Sequence, residues 1–457
     1  MARFAELGLA PTQLAVLEQL EYFEMTPIQA ASLPLALAGH DLIARARTGS
    51  GKTAAFALPL LARLKPKHFA VQALVLCPTR ELAEQVAQEI RRLARAQENI
   101  KVLTLCGGSP VRGQIESLVH GAHVVVGTPG RIMDHLQRET LRLDALATLV
   151  LDEADRMLDM GFHDDIAWVA ERCPAGRQTL LFSATYPDGI ASLASRFLRE
   201  PREVMLTDTH EPDQIRQRFY EVAHEARLKA VGALLRHYRP ESTLAFCNTR
   251  QQCKALLDQL HDEGIHALTL HGELDQHERD QVLIRFANRS VSVLVATDVA
   301  ARGLDIAQLE CVINVDVTPD PEVHTHRVGR TGRADQHGWA LSLASSADRR
   351  RVDEIARTNG FTPEWHALDA LDATDEQPLL PAMSTIQILA GKRDKIRPGD
   401  IMGTLAATTG LNREETGRIN VTEQQSYVAV PRERAREILR KLTTGRLKGR
   451  AIRARIL

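Results

Sequence analysis

At 457 residues the chain is too long for a single hydrophobic core, and 44% hydrophobic with 25% charged residues matches an ordinary globular protein, not a disordered, collagen-like or disulfide-stapled one. The net charge of −1 argues against a polyanion partner only as an average: residues 383–457 carry 16 Lys and Arg against 7 Asp and Glu, a net +9 that leaves −10 on the rest. No stretch is long and apolar enough to span a bilayer, and Glu6 interrupts the N-terminus before a secretion signal could form, so membrane and export roles are not expected.

Short unbroken apolar runs recur at 41–46, 73–77, 102–106, 123–127, 149–151 and 179–182. They lack the period-two alternation of half-exposed strands, and helix-like segments follow Thr53, Glu81 and Arg131, as in a parallel sheet covered on both faces. The polar stretch 207–214, T-D-T-H-E-P-D-Q, has no apolar period and reads as a hinge. A second series at 244–247, 267–270, 293–296, 312–315 and 340–343 repeats the pattern. The expected fold is therefore α/β, with parallel-sheet domains over 1–206 and 215–368. An acidic, proline-bearing linker is expected at 369–382. Beyond it, strands at 386–389, 419–421, 426–430 and 452–456 and helices after Pro398 and over 432–442 give a βαββαβ order. That order predicts a small α+β domain at 383–457, like an RNA-recognition motif. The six cysteines are scattered, with no C-x-x-C pair, which suits reduced thiols in a cytoplasmic protein.

Two segments carry chemistry. Residues 46–53, A-R-T-G-S-G-K-T, lie between the first strand and a helix, the context of a phosphate-binding loop. Thr48, Gly49, Ser50 and Gly51 would wrap phosphates with backbone amides, Lys52 would reach the outer phosphates, and Thr53 would hold Mg²⁺. Ala46 replaces the usual opening glycine without removing a phosphate contact. Residues 149–155, L-V-L-D-E-A-D, end an apolar strand in three carboxylates. Beside a phosphate loop, Asp152 is the candidate metal residue, partly through water, Glu153 the general base, and Asp155 a further nucleotide-side group. Alone, the tetrapeptide also fits a solvated acidic turn.

D-E-A-D at 152–155 resembles the signature of the DEAD-box RNA helicases, and the remaining motifs follow that family in order. The resemblance implies two RecA-like domains, RNA-dependent ATPase activity, and ATP with Mg²⁺ as cofactors. It implies an adenine-reading segment in which Gln29 pairs with the base and Phe4 packs over it. Arg80, Gly107, Gly108, Thr128, Pro129 and Arg131 would grip RNA from the first domain, and Asn248, Thr249, Gly272 and Thr297 from the second. Ser183, Ala184 and Thr185 would couple hydrolysis to unwinding. Arg330 and Arg333 would be arginine fingers, Asp305 would contact the nucleotide, and His326 would bridge to the acidic motif. Positive charge delivered from the second domain implies hydrolysis only on domain closure, which ATP and RNA would both favour. Met25 and His324 depart from the commonest proline and tyrosine of the family.

These departures, with the tail, resemble the bacterial DbpA subfamily. That implies a structured hairpin of the large-subunit (23S) ribosomal RNA as ligand, pre-ribosomal particles as partners, and a cytoplasmic monomer acting in ribosome assembly. In the tail, Lys392, Arg393 and Lys395 in the first loop and Arg446, Lys448 and Arg450 near the end are candidate phosphate contacts. Tyr427 is its one candidate stacking aromatic on the central strands. An ATP-gated RNA clamp that separates few strands would carry the same motifs.

Overall fold

The computed structural model describes residues 2–46, 50–186, 188–205, 215–301, 309–332, 337–371 and 379–457. The expected hinge and four candidate residues, Thr48, Gly49, Asp305 and Arg333, lie outside the described residues. The described residues form two compact units, one up to Met205 and one from Ile215 onward, with the C-terminal domain inside the second.

In the first unit seven strands pair side by side in the order Val102–Leu105, Val124–Gly127, Ala73–Leu76, Thr148–Leu151, Gln178–Ser183, Leu42–Arg45 and Arg202–Met205. Every pairing is parallel. The runs are apolar at consecutive positions because both faces are covered. Val75, Val124, Val126 and Val150 enter one core, while Leu74, Val125, Leu149 and Leu151 enter another on the opposite face.

The second unit builds a second seven-stranded parallel sheet, ordered Ala267–Leu270, Val293–Ala296, Thr243–Phe246, Cys311–Asn314, Gly338–Ala344, Ile215–Glu221 and Trp365–His366. Numbered within its own unit, each sheet reads 3-4-2-5-6-1-7, so the expected duplication extends to the strand order. Three strands carry no apolar run and were not anticipated: Arg202–Met205, Ile215–Glu221 and Trp365–His366. The first and last are sheet edges, and in Ile215–Glu221 the polar run Arg216, Gln217 and Arg218 separates Ile215 from Phe219 and Tyr220.

The C-terminal domain has four antiparallel strands in the order Ile419–Val421, Ser426–Pro431, Met383–Ile388 and Ala454–Ile456. Helices Pro398–Thr409 and Ala435–Thr444 close one face over Ile386, Ile388, Val428 and Val430. A further hairpin pairs Arg446–Leu447 with Arg450–Ala451. Its turn residues Lys448 and Gly449 both have positive φ, 50° and 80°, as a two-residue turn matching strand twist requires.

Candidate functional site

Because each sheet is parallel, the residues that follow its strands gather along one edge. In the first unit the neighbouring strands Thr148–Leu151, Gln178–Ser183 and Leu42–Arg45 lead to Asp152 and Glu153, to Ala184 and Thr185, and towards Ser50, Gly51, Lys52 and Thr53. The other neighbouring trio, Val102–Leu105, Val124–Gly127 and Ala73–Leu76, leads to Gly107 and Gly108, to Thr128, Pro129 and Arg131, and to Arg80. Strand order thus divides the edge into two halves, one carrying the nucleotide candidates (the nucleotide half) and the other the RNA candidates (the RNA half).

In the nucleotide half, Lys52 and Asp152 are both buried, and Lys52 Nζ and Asp152 Oδ1 have no hydrogen-bond partner among the described residues. Such groups are costly to bury unpaired. Burial pushes the Asp152 carboxyl up to about 7, with Lys52 opposing and Glu153 adding to the rise. An orphaned ammonium beside an orphaned carboxylate oxygen is the donor set that a phosphate and its divalent cation would satisfy. Thr53 is half-buried in the first turn of helix Lys52–Arg63. Glu153 caps the next helix in the left-handed region, at φ 51°, ψ 52°, an unfavourable conformation for a non-glycine residue that concentrates at functional sites. Its Oε2 lies 3.4 Å from Arg156 Nε.

Gln29 is 2% exposed. Its Oε1 accepts the Thr26 N–H (2.9 Å) and its Nε2 donates to the Gly51 carbonyl (3.0 Å), tying a capped helix to the phosphate loop. A second N–H and a second lone pair remain on the amide. Gly51 must be glycine, with φ at 90° and a Cβ that would stand 2.5 Å from Gln29 Nε2. Phe4 is 3% exposed and lies in the domain core with its ring edge-on to Tyr22 (centroids 6.2 Å apart). Asp155 Oδ2 accepts from the N–H groups of Ala184 (3.0 Å) and Thr185 (2.8 Å) and the Thr185 hydroxyl (3.1 Å), and its Oδ1 from the Arg156 N–H (3.0 Å). Its own N–H donates to Ser183 Oγ (3.3 Å), so Asp155 is held to the 183–185 turn.

In the RNA half, Gly107 and Gly108 are exposed, and Arg80, half-buried, opens a helix capped by Thr79. Thr128 caps its helix without using its hydroxyl, which leaves that group for a ligand. Pro129 is corrected: buried at the first helical position, it starts the helix and offers no surface. In the second unit the corresponding neighbouring strands lead to Gly272, Thr297, and Asn248 with Thr249. The Thr249 hydroxyl oxygen caps the helix at Gln252 N–H (3.2 Å), as Thr79 does at Leu82 in the first unit. Arg327, buried, donates to Asp298 Oδ1 and Oδ2 (both 2.7 Å), the Asp316 carbonyl (2.8 Å) and Asn248 Oδ1 (3.1 Å), so it fixes Asn248 to the strand ends beside it. His326 is half-buried and Arg330 buried, on and just after helix Pro321–Val328.

The sequence matches the family models for DEAD/DEAH box helicase over residues 26–193, Helicase conserved C-terminal domain over 226–335, and DbpA RNA binding domain over 385–456. It is 48% identical over 458 residues to the ATP-dependent RNA helicase DbpA of Escherichia coli (strain K12), covering 100% of both chains. The chain belongs to the DEAD-box family of ATP-dependent RNA helicases. The helicase is also 40% identical over 450 residues to CshA of Geobacillus kaustophilus, covering 95% and 96% of the two. Among solved structures, S. cerevisiae Dbp5 bound to RNA and ADP BeF3 matches with TM-score 0.75 at 30% identity, over 81% of this chain and 97% of that one.

The helicase binds RNA through its C-terminal domain too, but Tyr427 is corrected as a stacking platform. Cross-strand register puts Thr385, Gln387, Tyr427 and Ala429 on the sheet face away from the helices. There Tyr427 is 1% exposed, its hydroxyl donating to Gln425 Oε1 (2.7 Å). A loop of the second helicase domain covers this face: Asn288 Nδ2 donates to Thr385 Oγ1 (3.1 Å), Ser290 Oγ lies 2.6 Å from the same oxygen, and Asn420 Nδ2 reaches Asn288 Oδ1 (3.4 Å). The basic candidates, in contrast, converge. Lys448 Nζ donates to the Lys395 carbonyl (2.5 Å) and pairs with Asp400 (2.9 Å), and Arg450 pairs with Asp394 (2.8 Å). These contacts join the Lys392–Lys395 loop to the Arg446–Ala451 hairpin in one exposed patch that includes Arg393 and Arg446. The pairs are surface ones, easily exchanged for phosphate.

Sequence reading gave no role to Arg327, Gln114 or His135. Three arginines in the eight residues 326–333 were a signal for the first, since they need not all face a phosphate. No described helix is long and apolar enough to cross a membrane.

Proposed function

We propose that the helicase uses ATP to open structured RNA of the large ribosomal subunit, a 23S hairpin, during assembly of pre-ribosomal particles, as a cytoplasmic monomer. What carries this reading is the basic patch of the tail: with the sheet face covered, its ligand is held through phosphates and shape, as a hairpin is. The six cysteines, all buried and without disulfides, accord with a reducing compartment.

For the chemistry, Lys52 would hold the outer phosphates, and Thr53 and Asp152 would hold Mg²⁺, partly through water. A bound magnesium ion neutralises charge that spreads over the phosphate oxygens in phosphoryl transfer. Glu153 would take the proton of the attacking water, and the spare N–H and lone pair of Gln29 would read adenine. Arg330 and Arg333, with His326 and Asp305, belong to the second RecA-like domain, so turnover would wait until ATP and RNA bring that domain into play. Arg80, Gly107, Gly108, Thr128 and Arg131, with Asn248, Thr249, Gly272 and Thr297, would grip the RNA backbone, which carries no sequence information.

The test compares ATPase stimulation by a 23S hairpin fragment and by random RNA of equal length, in the full chain and in a chain ending before Met383. The hairpin should be preferred only by the full chain. Equal preference in both would remove the tail as the source of selectivity.

A further inference from the structure

Gly107 and Gly108 offer RNA nothing but backbone, so their value to a ligand depends on what holds that backbone. No described atom lies within 4 Å of where a Cβ on Gly107 would stand, so packing inside the protein does not demand a glycine there and the backbone is open to a ligand. The turn is held at both ends by side chains from elsewhere. Gln114 Nε2, on helix Val111–Val119, donates to the Cys106 carbonyl (2.9 Å), and Arg131 Nη1 donates to the Ser109 carbonyl (3.0 Å). The two anchors are joined, because Gln114 Oε1 accepts from the same Arg131 Nη1 (2.9 Å).

His135 completes the arrangement. It is 0% exposed on helix Pro129–Gln137, with Nε2 2.9 Å from Gln114 Oε1 and Nδ1 2.8 Å from Thr140 Oγ1. An amide oxygen can only accept, so Nε2 carries the hydrogen and Nδ1 accepts from the Thr140 hydroxyl. Burial, and then Arg131, lower the His135 pKa and keep the ring neutral in that tautomer. With its oxygen held by two donors, the Gln114 amide can only turn its nitrogen toward Cys106.

We propose that Gln114 and His135 are positioning residues for the RNA backbone: they lock the 106–109 turn to the helix that begins at Pro129, so that Gly107, Gly108 and Thr128 meet the sugar–phosphate chain at fixed spacing. The proposal rests on the reading of that half-edge as an RNA grip. Neither residue touches RNA in it. Losing either leaves buried partners unsatisfied and frees the turn.

The full chain carrying Gln114→Leu or His135→Phe, with Arg131→Ala and Thr128→Ala as controls, is assayed for the RNA concentration giving half-maximal ATPase, for turnover at saturating RNA, and for the KM of ATP. Both positioning variants should raise the half-saturating RNA concentration by about tenfold, the factor for one hydrogen bond of ~1.4 kcal/mol. Turnover at saturating RNA and the KM of ATP should move by less than about twofold. His135→Gln, which keeps one donor, should recover part of the loss. Because Gln114 is half-exposed, its variant decides the test even if the buried His135→Phe misfolds. An unchanged RNA dependence in Gln114→Leu beside a shift in Arg131→Ala overturns the positioning role alone. No shift in any of the four overturns the RNA half-edge itself. Parallel losses of RNA and ATP affinity would make the network a general structural one and also overturn the proposal.

Discussion

One carboxylate oxygen of Asp155 accepts both the backbone N–H and the hydroxyl of Thr185, at 2.8 and 3.1 Å. The last residue of the D-E-A-D run is thereby tied to the turn after the neighbouring strand, so a shift at Asp152 or Glu153 on hydrolysis would be passed to residues 184–185. Thr185→Val removes one of these bonds and keeps the other. It should reduce strand displacement per ATP by about tenfold, the worth of one hydrogen bond to a charged group, with RNA-stimulated ATPase little changed. Parallel assays of the two activities check it; equal losses in both would remove the coupling role.

Lys52 and Glu153 should separate binding from chemistry. Lys52→Ala takes away the ground-state partner of the phosphates and should weaken nucleotide binding by at least about tenfold. Glu153→Gln keeps the site's shape and removes the base, so turnover should fall by about 10²-fold or more with ATP still bound. Fluorescent-nucleotide titration and single-turnover hydrolysis distinguish them, and near-normal hydrolysis by Glu153→Gln would displace Glu153 as the base.

Gln29 braces the phosphate loop at Gly51 while keeping groups for a base. Gln29→Ala should therefore weaken binding of both ATP and GTP, and ATP more, lowering the preference between them. Competition binding with the two nucleotides measures this. A lost preference with GTP affinity intact would leave base reading and remove the bracing.

His324 gives a pH dependence of stability. It is buried, with Nε2 3.1 Å from Gln217 Oε1 and its ring stacked on Phe219, and burial, then Arg327, hold its pKa down at about 4. The unfolded chain binds this proton below about pH 6.5, whereas the folded one refuses it until about 4. The neutral ring's contribution is thus complete above pH 6.5 and is lost as pH falls towards 4, by about 3 kcal/mol at most. His324→Tyr should flatten this part of the profile in denaturant unfolding from pH 7 to 4. An identical slope in the variant would assign the acid sensitivity elsewhere.

The clustering of the nucleotide candidates at one sheet edge was legible because it is local. Asp152 and Glu153 follow an apolar run directly and Lys52 closes the loop after another, and a parallel sheet brings strand ends together whatever else happens. The aromatic candidates were not legible. Phe4 and Tyr427 each lie in plausible sequence contexts, but their accessibility is set by distant segments: Tyr22 for one, and Asn288 and Ser290 for the face that holds the other. Asp155 shows the same limit, since only the folded chain reveals that Ala184 and Thr185 claim its oxygen. Strands such as Ile215–Glu221 escaped because half-exposed arginines break the hydrophobic run.

ATP turnover at the Lys52–Asp152–Glu153 edge would drive the opening of RNA. The direct measurement is displacement of a short RNA strand paired next to a structured 23S fragment, by the wild-type chain and by Glu153→Gln, with ATP, with a non-hydrolysable analogue and with no nucleotide. Repeated displacement should occur only for the wild-type chain with ATP, with at most one round per enzyme under the analogue or in Glu153→Gln. Equal displacement without nucleotide, or ATP hydrolysis on this RNA with no strand released, would rule out ATP-driven opening, the second outcome leaving an ATP-gated clamp.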